Sequence, residues 1–417
     1  MSEEAARSDT GKAAPAMTPA EQKRAIVAAT VGNGLEFYDF VTYAFFAIQI
    51  GHTFFPSESP FLSLMASLGA FGAGFVTRPL GAFILGGYAD RHGRKPAMLL
   101  SMMLMGLGIL LLVLTPGYHA IGIAAPIIAV IARLIQGFAL GGEVGAATSY
   151  LMESADAHKR GWTVSWQGGS QQVAATIGAL VGFGLSAVMS EAELSAYGWR
   201  IALALGASIV PFALWIRSSL PETLHSQPDA SEMEDAGFRS YLRVIVLGFL
   251  MIASGTIATY IFNYMATYGQ NTLKLSATIS LFAEFGINLA GLLAIMAGGW
   301  LSDRIGRRKV MIWPQLAFTL ATVPCFLWFT GSLSPFSFIA ATVFLSALSS
   351  PQFAAIYAAI NESLPRAVRA RAFALVYSIP VAAFGGTTQM FVTWLLEVTG
   401  KPTALAVFAS DALSSTA

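Results

Sequence analysis

Apolar runs and short polar turns alternate along the whole chain. Eleven apolar stretches stand out, at 25–50, 61–89, 97–115, 121–151, 164–189, 198–216, 241–268, 276–301, 309–330, 334–360 and 371–397. A helix needs about 20 mostly apolar residues to cross a hydrocarbon core. Each stretch therefore predicts one membrane-spanning helix, and the chain is expected to be an all-α integral membrane protein. The longest polar loop, 217–240, contains Pro221, Pro228 and an acidic patch at Ser231–Asp235. It divides a six-helix half (25–216) from a second half (241–397) with five helices. After Lys401-Pro402 only 15 residues remain, and their apolar part, Thr403 to Ser410, is too short to span. The chain is thus expected to end in a short outside tail, 398–417, with no twelfth helix.

Charge orients this array. With the N-terminus inside and the sides alternating, 19 of the 24 Lys and Arg residues fall on inside segments. Arg200, Lys274 and Lys401 fall outside, while Arg78 and Arg133 lie within helices. Basic residues collect on the cytoplasmic side of membrane proteins, so the polar segment 1–24 is expected to be a cytoplasmic tail. That segment has neither the early apolar run nor the small-residue cleavage site of a secretory signal.

Composition agrees with a bilayer as the surrounding solvent. Hydrophobic residues make up 55% of the chain and charged ones 11%, against about 25% charged in soluble domains. A net charge of +1 gives no reason to expect nucleic acid as a partner. The single cysteine, Cys325, excludes an intramolecular disulfide. His52, His92, His119, His158 and His225 all fall in loops or at helix ends. No nucleotide loop, metal-ligand cluster or nucleophile–base arrangement is present, so neither an enzyme nor a resident metal or cofactor is expected.

One segment occurs twice. Gly86-Gly87-Tyr88-Ala89-Asp90-Arg91-His92-Gly93-Arg94-Lys95 follows the second helix, and Gly299-Trp300-Leu301-Ser302-Asp303-Arg304-Ile305-Gly306-Arg307-Arg308-Lys309 follows the eighth. The two aspartates lie 213 residues apart, about half the chain, at equivalent inside positions. Parallel repeats of this kind build transporters with a central site.

This doubled Gly-x-x-x-Asp-Arg-x-Gly-Arg motif resembles the signature of the major facilitator superfamily. Gly32-Asn33-Gly34-Leu35-Glu36-Phe37-Tyr38-Asp39-Phe40, Phe75-Val76-Thr77-Arg78-Pro79-Leu80-Gly81, Arg133-Leu134-Ile135-Gln136-Gly137 with Gly141-Gly142-Glu143, and Gly198-Trp199-Arg200 resemble its metabolite:proton symporter family. Ser165-Trp166-Gln167 with Ser170-Gln171-Gln172, and Leu220-Pro221-Glu222-Thr223, look most like the citrate and tricarboxylate symporters. The resemblance implies two six-helix halves, a twelfth helix that this chain departs from, an inner-membrane location and a monomer. It also implies import of a small organic anion, a di- or tricarboxylate, with protons. The alternatives are the same fold carrying an aromatic acid or zwitterionic osmolyte, and a non-transporting product.

A charge at the bilayer centre costs about 2.5–3.5 kcal/mol on insertion scales, so intramembrane charges face the interior. Glu36, Asp39, Arg78, Arg133, Glu143 and Glu284 are those charges. Glu36, Asp39 and Tyr43 share one face of the first helix, and Arg133, Gln136 and Glu143 share one of the fourth. Desolvation favours a neutral acid and a nearby Arg favours its anion. That competition makes Asp39, Glu36, Arg133, Glu143 and Glu284 the expected proton-coupling set; the bland reading is a static ion pair. Arg78 is the expected carboxylate contact. Tyr43, Gln136, Gln167, Gln171, Asn263, Tyr264 and Tyr357 are expected around the substrate, with Asn288 and Gln352 as similar positions. Gly86, Asp90, Arg91 and Arg94, and Gly299, Asp303, Arg304 and Arg307, are expected to close the inner face.

Overall fold

The computed structural model describes residues 19–92, 94–141, 143–156, 158–218, 238–364 and 369–408, and among these every element is helical. In the first half, α1 (Pro19–Phe45) and α2 (Ala47–Phe54) form one rod broken at Phe46. Then come α3 (Pro60–Val76), α4 (Arg78–His92), α5 (Arg94–Leu114), the short α6 (Tyr118–Ile121), α7 (Ala124–Gly141), α8 (Glu143–Ser154) and α9 (Arg160–Val188). A turn, α10 (Glu191–Glu193), and a π-helical turn, Leu194–Gly198, lead into α11 (Trp199–Ser218). The second half contains α12 (Phe238–Phe262), α13 (Met265–Thr267) with a π turn at Tyr268–Thr272, α14 (Ala277–Ile305) and α15 (Arg307–Gly331). It closes with α16 (Pro335–Ser349), α17 (Pro351–Ser363), α18 (Arg369–Pro380), a π turn at Val381–Gly385 and α19 (Gly386–Thr399).

Eight stretches among the described residues are long and apolar enough to cross a membrane: Pro60–Leu85, Ala124–Gly141, Arg160–Val188, Leu242–Thr272, Ala277–Ile305, Arg307–Gly331, Pro335–Ser363 and Ala372–Thr399. The expected stretches at 25–50, 97–115 and 198–216 are helical but do not meet that measure. The first carries Glu36 and Asp39, and the second has a shorter apolar core, Leu99–Leu114. Several predicted single helices are broken, and the reasons are local. Proline lacks an N–H and crowds the preceding turn, so breaks stand beside Pro79, Pro351 and Pro380.

Serines start the helices at one face. Ser59 accepts from the Leu62 amide, Ser276 from Ile279 and Ser334 from Ser337, each filling a donor that a helix start leaves open. Ser190 and Glu193 make a reciprocal capping box, and this hydrogen bonding holds the exposed Glu193 carboxyl below its ordinary pKa. At the opposite end Gly306 joins α14 to α15 with φ of 93°, a left-handed turn that glycine adopts without a Cβ clash.

Small residues let the rods touch. A methyl group on Gly137 of α7 would overlap the Gly74 carbonyl of α3, so the two backbones are in direct contact, as small-residue stripes allow. Large apolar side chains point outward, among them Phe83, Val188, Phe336 and Trp313, giving the surface a lipid-compatible skin. The halves meet through α9 against α14, α3 against α19, and α8 and α4 against α18.

Candidate functional site

Two arginines lie buried where α1, α3, α4 and α7 converge. Arg133 of α7 is fully buried, and its Nη1 donates to Asp39 Oδ2 of α1 at 3.3 Å. The same nitrogen donates to Gln136 Oε1 one turn along. Its guanidinium lies 4.4 Å from the Tyr43 ring centroid and 5.0 Å from that of Phe40. Tyr43 is held in place by donating to the Ser67 carbonyl at 3.2 Å. The sequence-derived residues Asp39, Tyr43, Arg133 and Gln136 are thus brought into one cluster. Among the described residues, Asp39 Oδ1 and Arg133 Nε and Nη2 have no hydrogen-bond partner.

Arg78 sits at the start of α4, just after the break at Thr77. Thr77 marks that break by donating its hydroxyl to Leu134 O of α7 at 2.8 Å. The Arg78 guanidinium lies 4.1 Å from the Phe75 ring centroid and 4.6 Å from that of Phe40, so Phe40 stands between the two cations. Tyr260 and Tyr377 of the second half lie beside it. Arg78 is only 3% exposed, yet its Nε and Nη2 have no partner among the described residues. A buried donor left unmade costs about 1–3 kcal/mol, more for a charged group.

The aromatic box around the arginines was not anticipated. Phe40, Phe71, Phe75 and Tyr260 pack ring to ring, with Phe40 to Phe71 at 4.6 Å and Phe75 to Tyr260 at 5.2 Å. A usable signal existed: Phe71, Phe75 and Arg78 follow at i, i+4 and i+7 and share one helix face. Arginine over such faces is held by cation–π attraction.

A central cavity of about 60 Å³ opens beside this box, between the halves. Phe37, Phe40, Gln171, Gln172, Asn263, Asn288 and Tyr357 are among its walls. An adjoining pocket of about 40 Å³ shares Gln171, Tyr260 and Tyr357 and adds Tyr377 and Val381. Such volumes hold a few waters and fall well below the roughly 300 Å³ of small ligand sites.

Of the expected lining, Gln171, Asn263 and Tyr357 face the cavity; Gln167 and Tyr264 do not. Gln167 Nε2 donates to Asn33 Oδ1 at 3.2 Å, and Asn33 Nδ2 donates back to the Gln167 carbonyl, tying α9 to α1. Tyr264 accepts from Thr393 of α19 at 2.9 Å. Tyr43 and Gln136 are enclosed around Arg133, and Gln352 donates to Gln315 at 2.6 Å. The expected Glu284 is fully buried and apart from both arginines. Its Oε1 accepts the Ala266 amide at 2.9 Å. The side chains of Glu36, Glu143, Gly86, Asp90, Arg91 and Arg94 lie outside the described residues.

The second repeat forms a clasp across the halves. Asp303 accepts the Gly161 amide on Oδ1 and the Trp162 amide on Oδ2, both at 2.8 Å, at the first turn of α9. A carboxylate there also meets the positive helix end. Arg307 Nη1 donates to Asp303 at 2.7 Å, and its Nη2 donates to Glu362 of α17 at 3.0 Å. Gly299 presses on Gly161 and Ser165 of α9. Arg304 instead turns outward over Trp300, 3.9 Å from its ring centroid. At the other end Thr278 donates to the Ser186 carbonyl at 3.0 Å and Gln49 to Gln270 at 3.2 Å. Both ends of the inter-half seam are therefore closed around the cavity.

Known proteins match this chain over nearly its full length. The family profile described as "Sugar (and other) transporter" covers residues 25–236, and that of the Major Facilitator Superfamily covers 285–413. A citrate-proton symporter of Klebsiella pneumoniae is 39% identical over 391 residues, covering 90% of this chain and 86% of that protein. An alpha-ketoglutarate permease of Escherichia coli (strain K12) is 36% identical over 396 residues, covering 91% and 88%. The proton:xylose symporter XylE superposes with a TM-score of 0.75 at 18% identity, covering 94% of each chain. That last likeness shows the fold alone.

Proposed function

Since the chain belongs to the major facilitator superfamily, we propose that it imports a small organic anion, a di- or tricarboxylate such as citrate, together with protons. One observation carries the anion: Arg78, a buried guanidinium with two nitrogens unpartnered among the described residues, packed on Phe40 of the cavity wall. A guanidinium grips a carboxylate through paired hydrogen bonds. Gln171, Asn263 and Tyr357 supply further polar contacts for the remaining carboxylates. The relatives matched at 36% to 39% identity carry citrate and alpha-ketoglutarate by their names, which supports the same substrate class here.

Proton coupling belongs to the Asp39–Arg133 pair. Protonating Asp39 releases the guanidinium from its counter-ion, and Tyr43 and Gln136 keep it in place while the pairing changes. No cofactor takes part; the proton gradient drives the cycle. Asp303, held by Arg307 and Glu362 of its own half, closes the inner face, and its bonds to the Gly161 and Trp162 amides part when the halves rock. The π turn at Val381–Gly385 borders the adjoining pocket through Val381, and π turns recur at functional sites.

The chain is a multi-pass protein of the inner membrane. We read its helical rods as eleven crossings with a cytoplasmic N-terminus. A reporter fused after Lys401 should then lie outside the cytoplasm, and a cytoplasmic signal there would overturn the count. Calorimetric titration of the purified protein tests the substrate class. Citrate or another carboxylate should bind and xylose should not; binding of the sugar alone would refute the anion reading.

A further inference from the structure

Glu284 is a buried carboxylate that the Asp39–Arg133 mechanism does not use. It lies seven residues into α14, about 10 Å below the end where Ser276 caps the helix, at 1.5 Å per residue. One turn further in, Asn288 lines the central cavity. Asn288 Nδ2 donates to the Glu284 carbonyl at 2.8 Å and approaches its Oε2 at 3.4 Å. The carboxylate thus sits between the outer seam and the cavity.

No cation faces it. The outer part of α9, from Gly168 to Val188, has no ionisable side chain, and neither does α16. On α15 the basic residues stand at the opposite end, and Cys325 is the one other titratable group. On α17 these are Tyr357, which lines the cavity, and Glu362, which holds Arg307. Beside α13 stand Tyr264 and Tyr268. Tyr264 accepts from Thr393, and Tyr268 donates to the Pro402 carbonyl at 2.8 Å. His52 of α2 is exposed.

What Glu284 does touch is a chain of donors that crosses the seam. Gln49 of α2 donates to Gln270 Oε1 at 3.2 Å. Gln270 Nε2 donates to the Ala266 carbonyl at 3.1 Å. The Ala266 amide donates to Glu284 Oε1 at 2.9 Å. The Ala266 carbonyl and amide belong to successive peptide units, so the three bonds link the seam to the carboxylate mechanically, through the backbone of one residue. Ala266 follows the break at Asn263–Tyr264, so the carboxylate also holds the helix where its own ladder is interrupted. Amide donors suit an anion or a proton acceptor and would repel a metal ion.

We propose that Glu284 is a second proton-binding site, separate from Asp39, and that its charge holds the outer seam shut. This rests on the proton-coupled reading above. As an anion it draws the Gln49–Gln270–Ala266 chain tight. A proton taken from the outside medium onto Oε2, the less firmly held oxygen, removes that pull. The Asn288 amide can turn to accept the new O–H. The seam between α2 and the π turn then loosens, and substrate enters a carrier that is already protonated.

The test needs no substrate, so it can fail independently of the anion reading. In a Cys325→Ser background, Thr278→Cys places a thiol at the seam. An impermeant maleimide is added to right-side-out vesicles across a range of external pH. Rates are divided by those of an unstructured thiol peptide at the same pH. With Glu284 present, normalised labelling should rise several-fold as the outside is acidified. In Glu284→Gln it should be fast and flat with pH, and Glu284→Asp should restore the dependence. Asp39→Asn should keep it. A pH-dependent Glu284→Gln, or a pH-independent parent, would overturn the proposal; loss of the dependence in Asp39→Asn would overturn the separateness of the two sites.

Discussion

Asp39→Asn should abolish accumulation of substrate while leaving exchange across the membrane largely intact. Asp39 and Arg133 form the one fully buried ion pair among the described residues. Asn keeps an acceptor for Arg133 and nearly the same volume but cannot take up or release a proton. The carrier can then still alternate with substrate bound, so counterflow of labelled against unlabelled ligand continues. Net uptake loses its link to the gradient and stops at equal concentrations. Removing one partner of a buried pair costs about 3–5 kcal/mol, so a melting curve must first show that the variant is folded. Asp39→Asn that still accumulates substrate in a protonophore-sensitive way would pass the coupling role to another acid.

The second large effect belongs to Arg78. Arg78→Lys keeps the charge but loses the planar fork that can meet both oxygens of a carboxylate. It also loses the flat face that rests on Phe40 and Phe75. A hydrogen bond involving a charged group contributes about 1.5–3 kcal/mol, which corresponds to a rise in Kd of roughly 10- to 100-fold. Direct binding to wild type and variant measures this. Equal affinity would remove Arg78 from the site and leave it as a structural cation in an aromatic box.

The membrane architecture was legible because hydropathy reports the average surroundings of a long segment, which the bilayer fixes. The breaks were less visible, since a break depends on one or two backbone groups and leaves the average unchanged. Pro79, Pro351 and Pro380 marked three of them; the break at Asn263–Tyr264 has no proline and is instead supported from outside, by Glu284. The Asp39–Arg133 cluster was foreseen because a charge in the membrane needs a partner, and few were available. Gln167 was misassigned for a geometric reason. A helix pattern says that Gln167 and Gln171 lie near one face, but not which neighbour that face meets. In the fold Gln167 falls against Asn33 of α1, and Gln172 takes a place at the cavity instead. The aromatic box was hidden for a similar reason, because Tyr260 comes from the other half and no spacing along the chain brings it to Phe75.

Uptake of labelled citrate into proteoliposomes under an imposed pH gradient, alkaline inside, tests the central claim most directly. A gradient of one pH unit supports about a tenfold concentration ratio for each proton carried. The account predicts accumulation above the outside concentration that collapses when a protonophore is added. Entry that merely equilibrates, or accumulation that survives the protonophore, would contradict it.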